Sequence, residues 1–280
     1  MNAPLLSSEQ SADFRRDGLL VLRDFYDIDR EIVPIQRAIY EVIGQVMLRH
    51  GVTDERPPFD PKTFDLGYQQ LIEINRAWGG EVYDAVKQLP SFVRLVAHPR
   101  NEQLMLELRP SSIPGIAGGG YGIRIDNPDE DRFRGQWHQE YPAQLRSLDG
   151  LVFWSPLVPV TPEMGPVIFC PGSQRQGPLP VHTEHPTNPN RKGAYALMLK
   201  DEEEIVCKYN QIAPLSQPGD VVVIDFLTLH ASGFNRGERS RWTMQMRYFN
   251  FAEPIGRSHG WSGSFASGRD FRTIHPELCA

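Results

Sequence analysis

Nowhere in the chain do about 20 apolar residues run together, the length a helix needs to cross a bilayer, so no membrane span is expected. Cysteine is scarce: Cys170, Cys207 and Cys279 are three in 280 residues, far apart and without a C-x-x-C pair. An odd, scattered set excludes a disulfide framework and fits a reducing compartment. A basic excess is also missing. The formal net charge is -6 and the pI is near 5.8, which disfavours nucleic acid as a partner. Met1 to Gln10 has neither a positive start nor a long apolar core, so it does not read as a secretory signal. A cytoplasmic setting is the expectation. No internal repeat, low-complexity tract or Pro/Gly/Ser linker divides the sequence.

What is present is ordinary globular composition, 40% apolar and 23% charged. A domain of this size buries roughly three quarters of its unfolded surface and folds without a structural metal. Any metal can therefore be assigned to function.

The first third has helical spacing. Ser8 to Arg16 reads as a short capped helix ending near Gly18, followed by a strand over Leu19 to Tyr26. In Asp29 to His50, Ile32, Ile35, Ile39, Val42, Ile43 and Val46 recur at steps of three and four. Tyr68 to Leu108 carries further helices, cut by Gly79-Gly80, Pro90 and Pro99. After Arg109 the pattern changes to short β-like runs between Gly/Pro turns. They are Tyr121–Ile125, Trp137–Tyr141, Leu151–Leu157, Val167–Cys170, Asp220–Phe226 and Arg241–Phe249. This predicts one α+β domain over 1–280, with a helical part over about 1–110, a β-barrel or jelly roll over about 111–252 and a C-terminal tail over about 253–280. The irregular segment from Gln174 to Pro218, rich in proline and holding the acidic run Asp201–Glu204, is either a lid over a site or a solvated insertion.

The strongest chemical signal is Trp137-His138-Gln139-Glu140-Tyr141. On a strand, His138 and Glu140 would point the same way and form half a metal site. His230, after the apolar run Val221–Phe226, is the candidate third ligand. Two histidines and a carboxylate make the facial triad of non-haem Fe(II) oxygenases, which leaves positions open for co-substrate and O2. The bland alternative is a buried His–Glu hydrogen-bonded pair. A second H-x-E, His182-Thr183-Glu184, lies in the proline-rich segment and reads as solvated loop.

Trp137 to Pro178, Pro218 to Tyr248 and the opening Phe14-Arg15-Arg16-Asp17-Gly18-Leu19-Leu20-Val21-Leu22 resemble the phytanoyl-CoA dioxygenase family. The resemblance implies a double-stranded β-helix (jelly roll) with helices packed on it, Fe(II) as cofactor, and 2-oxoglutarate and O2 as co-substrates. It implies His138, Glu140 and His230 as iron ligands, with Glu140 standing where the family usually has Asp. A carboxylate here argues against halogenation. It implies Arg241, eleven residues after His230, as the anchor for the far carboxylate of 2-oxoglutarate, with Arg239 the rival by spacing. Strand alternation puts Arg241, Thr243, Gln245 and Arg247 on one face and Trp242, Met244 and Met246 on the other. The polar face lines the barrel if the barrel holds polar ligands, and otherwise faces solvent. Ser232 matches a family serine near the co-substrate. Trp154 matches a tryptophan of its pocket, or is a plain core aromatic. Pro171-Gly172-Ser173 matches a family turn, with Gln174 replacing His. Arg124, Arg146 and Arg247 either reach substrate or sit in surface ion pairs.

The implied activity is hydroxylation of an unactivated C–H bond of a small molecule, with release of succinate and CO2. Desaturation, cyclisation or epimerisation on the same site is one alternative. A metal-binding jelly roll that does not turn over is the other.

Overall fold

The computed structural model describes residues 3–185, 197–263 and 270–280. Helix α1 (Ser8–Asp17) opens with a reciprocal capping box between Ser7 and Gln10 and stops at Gly18, whose φ of 74° suits glycine. Gly18 also seats the start of the fold on its far end. Its carbonyl accepts from Asp225 N (2.9 Å) and Thr228 Oγ1 (2.8 Å), and a Cβ there would run into Thr228 Oγ1.

Strand β1 (Leu19–Leu22) is shorter than the pattern predicts, because Asp24 takes a left-handed φ of 49° and breaks the pairing. A π-helical turn over Ile28–Ile32 leads into α2 (Val33–Arg49), which buries Ile35, Ile39, Ile43, Val46 and Met47 on one face. Four short helices follow: α3 (Tyr68–Ile74), α4 (Arg76–Val86), α5 (Pro90–Val96) and α6 (Pro99–Leu108). Pro90 and Pro99 each take a first-turn position, where the missing N–H costs nothing.

The β half contributes β2 (Pro114–Ile116), β3 (Gly122–Asp126), the short helix α7 (Glu140–Gln144), β4 (Leu151–Pro156) and β5 (Val167–Phe169). The insertion adds β6 (Val181–His182), β7 (Met198–Leu199) and α8 (Glu202–Val206). Then come β8 (Val221–Asp225), β9 (His230–Ser232), β10 (Arg241–Asn250), α9 (Pro254–Ser258) and α10 (Phe271–Ile274). The larger sheet runs β1-β8-β4-β10-β2, with β3 also on β10, and a two-stranded sheet pairs β5 with β9. All these pairings are antiparallel, as a jelly roll requires.

The two faces of the large sheet have different partners. Trp242, Met244 and Met246 of β10 join Leu151 and Phe153 of β4 and Val221 and Val223 of β8 in a core shared with α2 to α6. Trp242 meets Phe64 and Tyr68 edge to face, with ring centroids 5.7 and 5.0 Å apart. The opposite face points into the barrel. There Leu19, Val152, Trp154, Val222 and Ile224 form a second, apolar cluster. Phe271 of α10 is buried in it, so the C-terminal segment packs into the barrel, and Cys279 pairs in parallel with Val181. No helix among the described residues is long and apolar enough to cross a membrane.

One predicted strand is absent. Trp137–Tyr141 does not form a ladder: only His138 pairs, in an isolated bridge to His230, and Glu140 begins α7. Gln139 is still extended, and the helix can start at Glu140 because Pro142 is tolerated in a first turn.

Candidate active site

His138 and His230 exchange both backbone hydrogen bonds, His138 N to His230 O at 3.0 Å and His230 N to His138 O at 3.1 Å. Their rings lie 4.2 Å apart, centroid to centroid. Each ring is oriented the same way. His138 Nδ1 lies 2.6 Å from Gln136 O, and His230 Nδ1 lies 2.9 Å from Thr228 O, so both Nδ1 groups donate to a carbonyl two residues back. Those bonds fix the tautomer and leave both Nε2 atoms as acceptors, the arrangement typical of metal-ligating histidines. Phe169 stacks on His230, with centroids 6.0 Å apart.

Glu140 brings its carboxylate to the same point through the first turn of α7 rather than through strand alternation. His230 Nε2 is 3.8 Å from Glu140 Oε1. Ligand atoms of His138, Glu140 and His230 all lie within 4.8 Å of one another, and among the described residues no other group of histidine, cysteine and carboxylate side chains is placed to hold a metal. His182 sits on β6, paired with Met198, outside this cluster.

The electrostatics suit a cation. Burial, helped by the neighbouring His230, pushes His138 down to about 4, so its imidazole is neutral near pH 7. Burial alone would raise Glu140, but the Arg247 guanidinium beside it holds its carboxyl well below the usual carboxylate range. Two imidazole nitrogens and one carboxylate are a donor set for a divalent iron-type ion.

Gln139, which sequence reasoning passed over, fixes the segment that carries the candidate ligands. Its Nε2 donates to Gly177 O (2.9 Å) and Leu227 O (2.8 Å), and its Oε1 accepts from Leu179 N (2.8 Å). Ser173 does the same for the other histidine. Its hydroxyl accepts from Leu229 N at 2.9 Å, one residue before His230. Both contacts join residues tens of positions apart, so no local pattern announces them.

The polar face of β10 turns into the barrel, and helices cover its apolar face. Arg241 is 1% exposed, and its Nη2 donates to Asp126 Oδ2 at 2.9 Å. Among the described residues its Nε and Nη1 have no hydrogen-bond partner, and neither has Thr243 Oγ1 on the same face. Buried donors are normally satisfied. This group is therefore shaped for an oxygen-bearing anion. Arg239 is elsewhere, forked onto Asp65 with its Nη2 2.6 Å from Oδ1. Ser232 lies beside the histidines: a Cβ built on Gly135 would sit 3.3 Å from Ser232 Oγ and 3.6 Å from His138 Cε1. Trp154 faces the barrel interior opposite Gln245, inside the apolar cluster.

A cavity of about 500 Å³ opens at His138 and Glu140, within the range of small-molecule sites. Its walls include Tyr68, Gly80 and Tyr83 of the helical part, Trp137, and Leu197-Met198 of the insertion. Arg124 and Arg247 reach it, whereas Arg146 instead donates to Gly118 O at 2.7 Å.

A jelly roll with two histidines and a carboxylate beside such a cavity defines the class of 2-His-1-carboxylate non-haem iron proteins. Residues 14–243 match the phytanoyl-CoA dioxygenase (PhyH) family, and the chain belongs to it: the protein is a dioxygenase of that family. It is 26% identical to an ectoine dioxygenase of Sphingopyxis alaskensis, over 84% of this chain and 72% of the relative. Among solved structures it resembles EctD from S. alaskensis with 2-oxoglutarate and 5-hydroxyectoine, at a TM-score of 0.59 and 19% identity over 90% of this chain and 79% of that one. It also resembles the carbocyclase SnoK from nogalamycin biosynthesis, at 0.54 and 17% over 89% and 88%. These likenesses establish the double-stranded β-helix fold.

Proposed function

We propose that the protein uses Fe(II), 2-oxoglutarate and O2 to hydroxylate an unactivated C–H bond of a small molecule. The observation that carries this is the triad of His138, Glu140 and His230, two of whose members line the cavity, together with the unsatisfied donors of the buried Arg241 on the inward face of β10. His138, Glu140 and His230 would hold the iron, which supplies an oxidant generated as 2-oxoglutarate loses CO2 and becomes succinate. Arg241 would take the far carboxylate of 2-oxoglutarate in its fork, and Thr243 would add a hydroxyl. Ser232 would border the co-substrate, and Trp154 would back it as a core aromatic. The walls over the triad orient the substrate and keep water away from the reacting centre.

A small-molecule substrate fits the size of the cavity and agrees with the relative that acts on ectoine. The chain's acidic balance sets nucleic acid aside as a partner. The free cysteines Cys170, Cys207 and Cys279 support a cytoplasmic setting.

The test is a metabolite screen that follows succinate with Fe(II) and 2-oxoglutarate, and weighs the product. A product heavier by one oxygen atom supports hydroxylation. Succinate with no added oxygen in the product replaces it with desaturation, ring closure or epimerisation. Fe(II) binding without succinate from any candidate would make the protein a metal-binding jelly roll.

A further inference from the structure

The side chain of Glu140 does not stand alone. Arg247 holds it with a complete fork: Nε donates to Oε2 and Nη2 donates to Oε1, both at 2.8 Å. Arg247 is itself clamped, since Nη1 donates to Gly120 O and Nη2 also donates to Gln245 Oε1, again at 2.8 Å. Both partners of the fork are nearly buried, with side chains 13% and 6% exposed.

Charge alone gives no reason for this arrangement at a metal site. A guanidinium beside a ligand repels the incoming dication. It therefore lowers metal affinity unless it does something else for the ligand. Glutamate is one methylene longer than aspartate and has one more free torsion. It also leaves the first turn of a five-residue helix, where its backbone is not fixed by a ladder. An Arg fork fixes the plane and the position of a carboxylate together, which a point charge does not. Each carboxylate oxygen in the fork keeps a lone pair for a second partner.

The geometry points to Arg247 as a positioning residue that sets the carboxylate of Glu140 for metal binding, offsetting the extra reach of glutamate. This rests on the metal site proposed above. Its consequence is that affinity for the metal depends on the fork, not on the positive charge of residue 247.

The experiment is an anaerobic titration of the full chain with Co(II), a stand-in for Fe(II) whose visible absorption reports coordination. The variants are Arg247→Lys, Arg247→Ala and His138→Ala, each checked for folding by circular dichroism. Changes in the groups that orient a ligand typically cost about 10–100-fold in metal affinity. Arg247→Lys keeps Glu140 charge-compensated but loses the fork, so it should weaken Co(II) binding by roughly tenfold or more and alter the bound spectrum. Arg247→Ala should weaken it at least as much, although it removes a repulsive charge. Wild-type affinity and spectrum in Arg247→Lys would overturn the inference, as would tighter binding in a folded Arg247→Ala. Wild-type affinity in His138→Ala would instead overturn the metal site itself, and this inference with it.

Discussion

His138 and His230 are 92 positions apart in the chain yet are each other's bridge partners, joined by two backbone hydrogen bonds of 3.0 and 3.1 Å. The two candidate ligands are thus brought together by an isolated backbone bridge rather than by side-chain reach. Neither ligand can be lost without opening the site. His138→Ala and His230→Ala should each abolish turnover and sharply weaken Fe(II) binding. His182→Ala, on the separate β6–β7 pair, should do neither. Metal titration of the three variants checks this, and loss of metal in His182→Ala alone would move the site.

The insertion meets the cavity through Leu197 and Met198. An expected lid over Gln174–Gln217 is therefore in reach of substrate, although 186–196 lies outside the described residues. Residues 197–209 should gain protection from hydrogen exchange when Mn(II), 2-oxoglutarate and a turnover-supporting substrate are added without O2. Exchange that stays unchanged there would make the segment an inert insertion.

Gly80 sits in the interior of α4 and on the cavity wall, and a Cβ built on it meets nothing within 4 Å. Glycine there costs the helix about 0.8–1.0 kcal/mol relative to alanine, and no packing contact requires it. Gly80→Ala should raise the melting temperature. Gly80→Leu should fill the space and raise the KM for an accepted substrate by roughly tenfold, since overpacking costs about 1–3 kcal/mol. Affinity for 2-oxoglutarate should hold. An unchanged KM in Gly80→Leu would show that substrate does not approach α4.

Asp126 is caught between Arg124 and Arg241. Burial alone would raise its pKa, but the two guanidinium groups outweigh burial and lower it. A carboxylate depressed in the fold stabilises it fully above the unfolded pKa, near 3.9. That stabilisation is lost as pH falls through the lower folded value. Removing one partner of a buried pair costs about 3–5 kcal/mol. Asp126→Asn should therefore melt roughly 5–10 °C lower than wild type at neutral pH. The gap should stay constant down to about pH 5 and narrow only below about pH 4. Melting curves across that range decide it, and a gap that narrowed between pH 8 and 6 would point to another group.

Much of this site can be read from residue patterns, and the remainder has a physical reason to be hidden. His138, Glu140 and His230 stand out because ligand types cluster beside apolar runs. The polar and apolar faces of β10 follow from alternation, since helices bury Trp242, Met244 and Met246 and leave Arg241 and Arg247 to the barrel. The route by which Glu140 reaches its place is not legible. A strand over Trp137–Tyr141 and a helix beginning at Glu140 differ in the backbone of two residues, and the bonds of Gln139 to Gly177 and Leu227 that favour the second are tertiary. The partner of Arg247 is 107 positions away, and no spacing rule spans that distance.

The last prediction concerns the cation proposed to anchor the co-substrate. A C5 dicarboxylate that chelates a metal with its 2-oxo acid end needs a donor pair at a set distance for the other end. Arg241 is buried, has one Nη2 bond to Asp126, and keeps Nε and Nη1 unsatisfied. Hydrogen bonds to charged groups contribute about 1.5–3 kcal/mol each. At about 1.4 kcal/mol per decade, losing two of them raises the apparent 2-oxoglutarate constant by roughly two orders of magnitude or more. Arg241→Ala should show that rise with Co(II) affinity nearly unchanged, because Arg241 is not a ligand. Arg241→Lys should recover only part, since a point charge replaces a fork. Arg239→Ala should leave 2-oxoglutarate binding intact but lower the melting temperature, because it strands Asp65, whose side chain is 10% exposed. Titration of 2-oxoglutarate against the three variants separates these outcomes. A large loss in Arg239→Ala with none in Arg241→Ala would move the anchor to Arg239, and no loss in either would remove 2-oxoglutarate as the co-substrate.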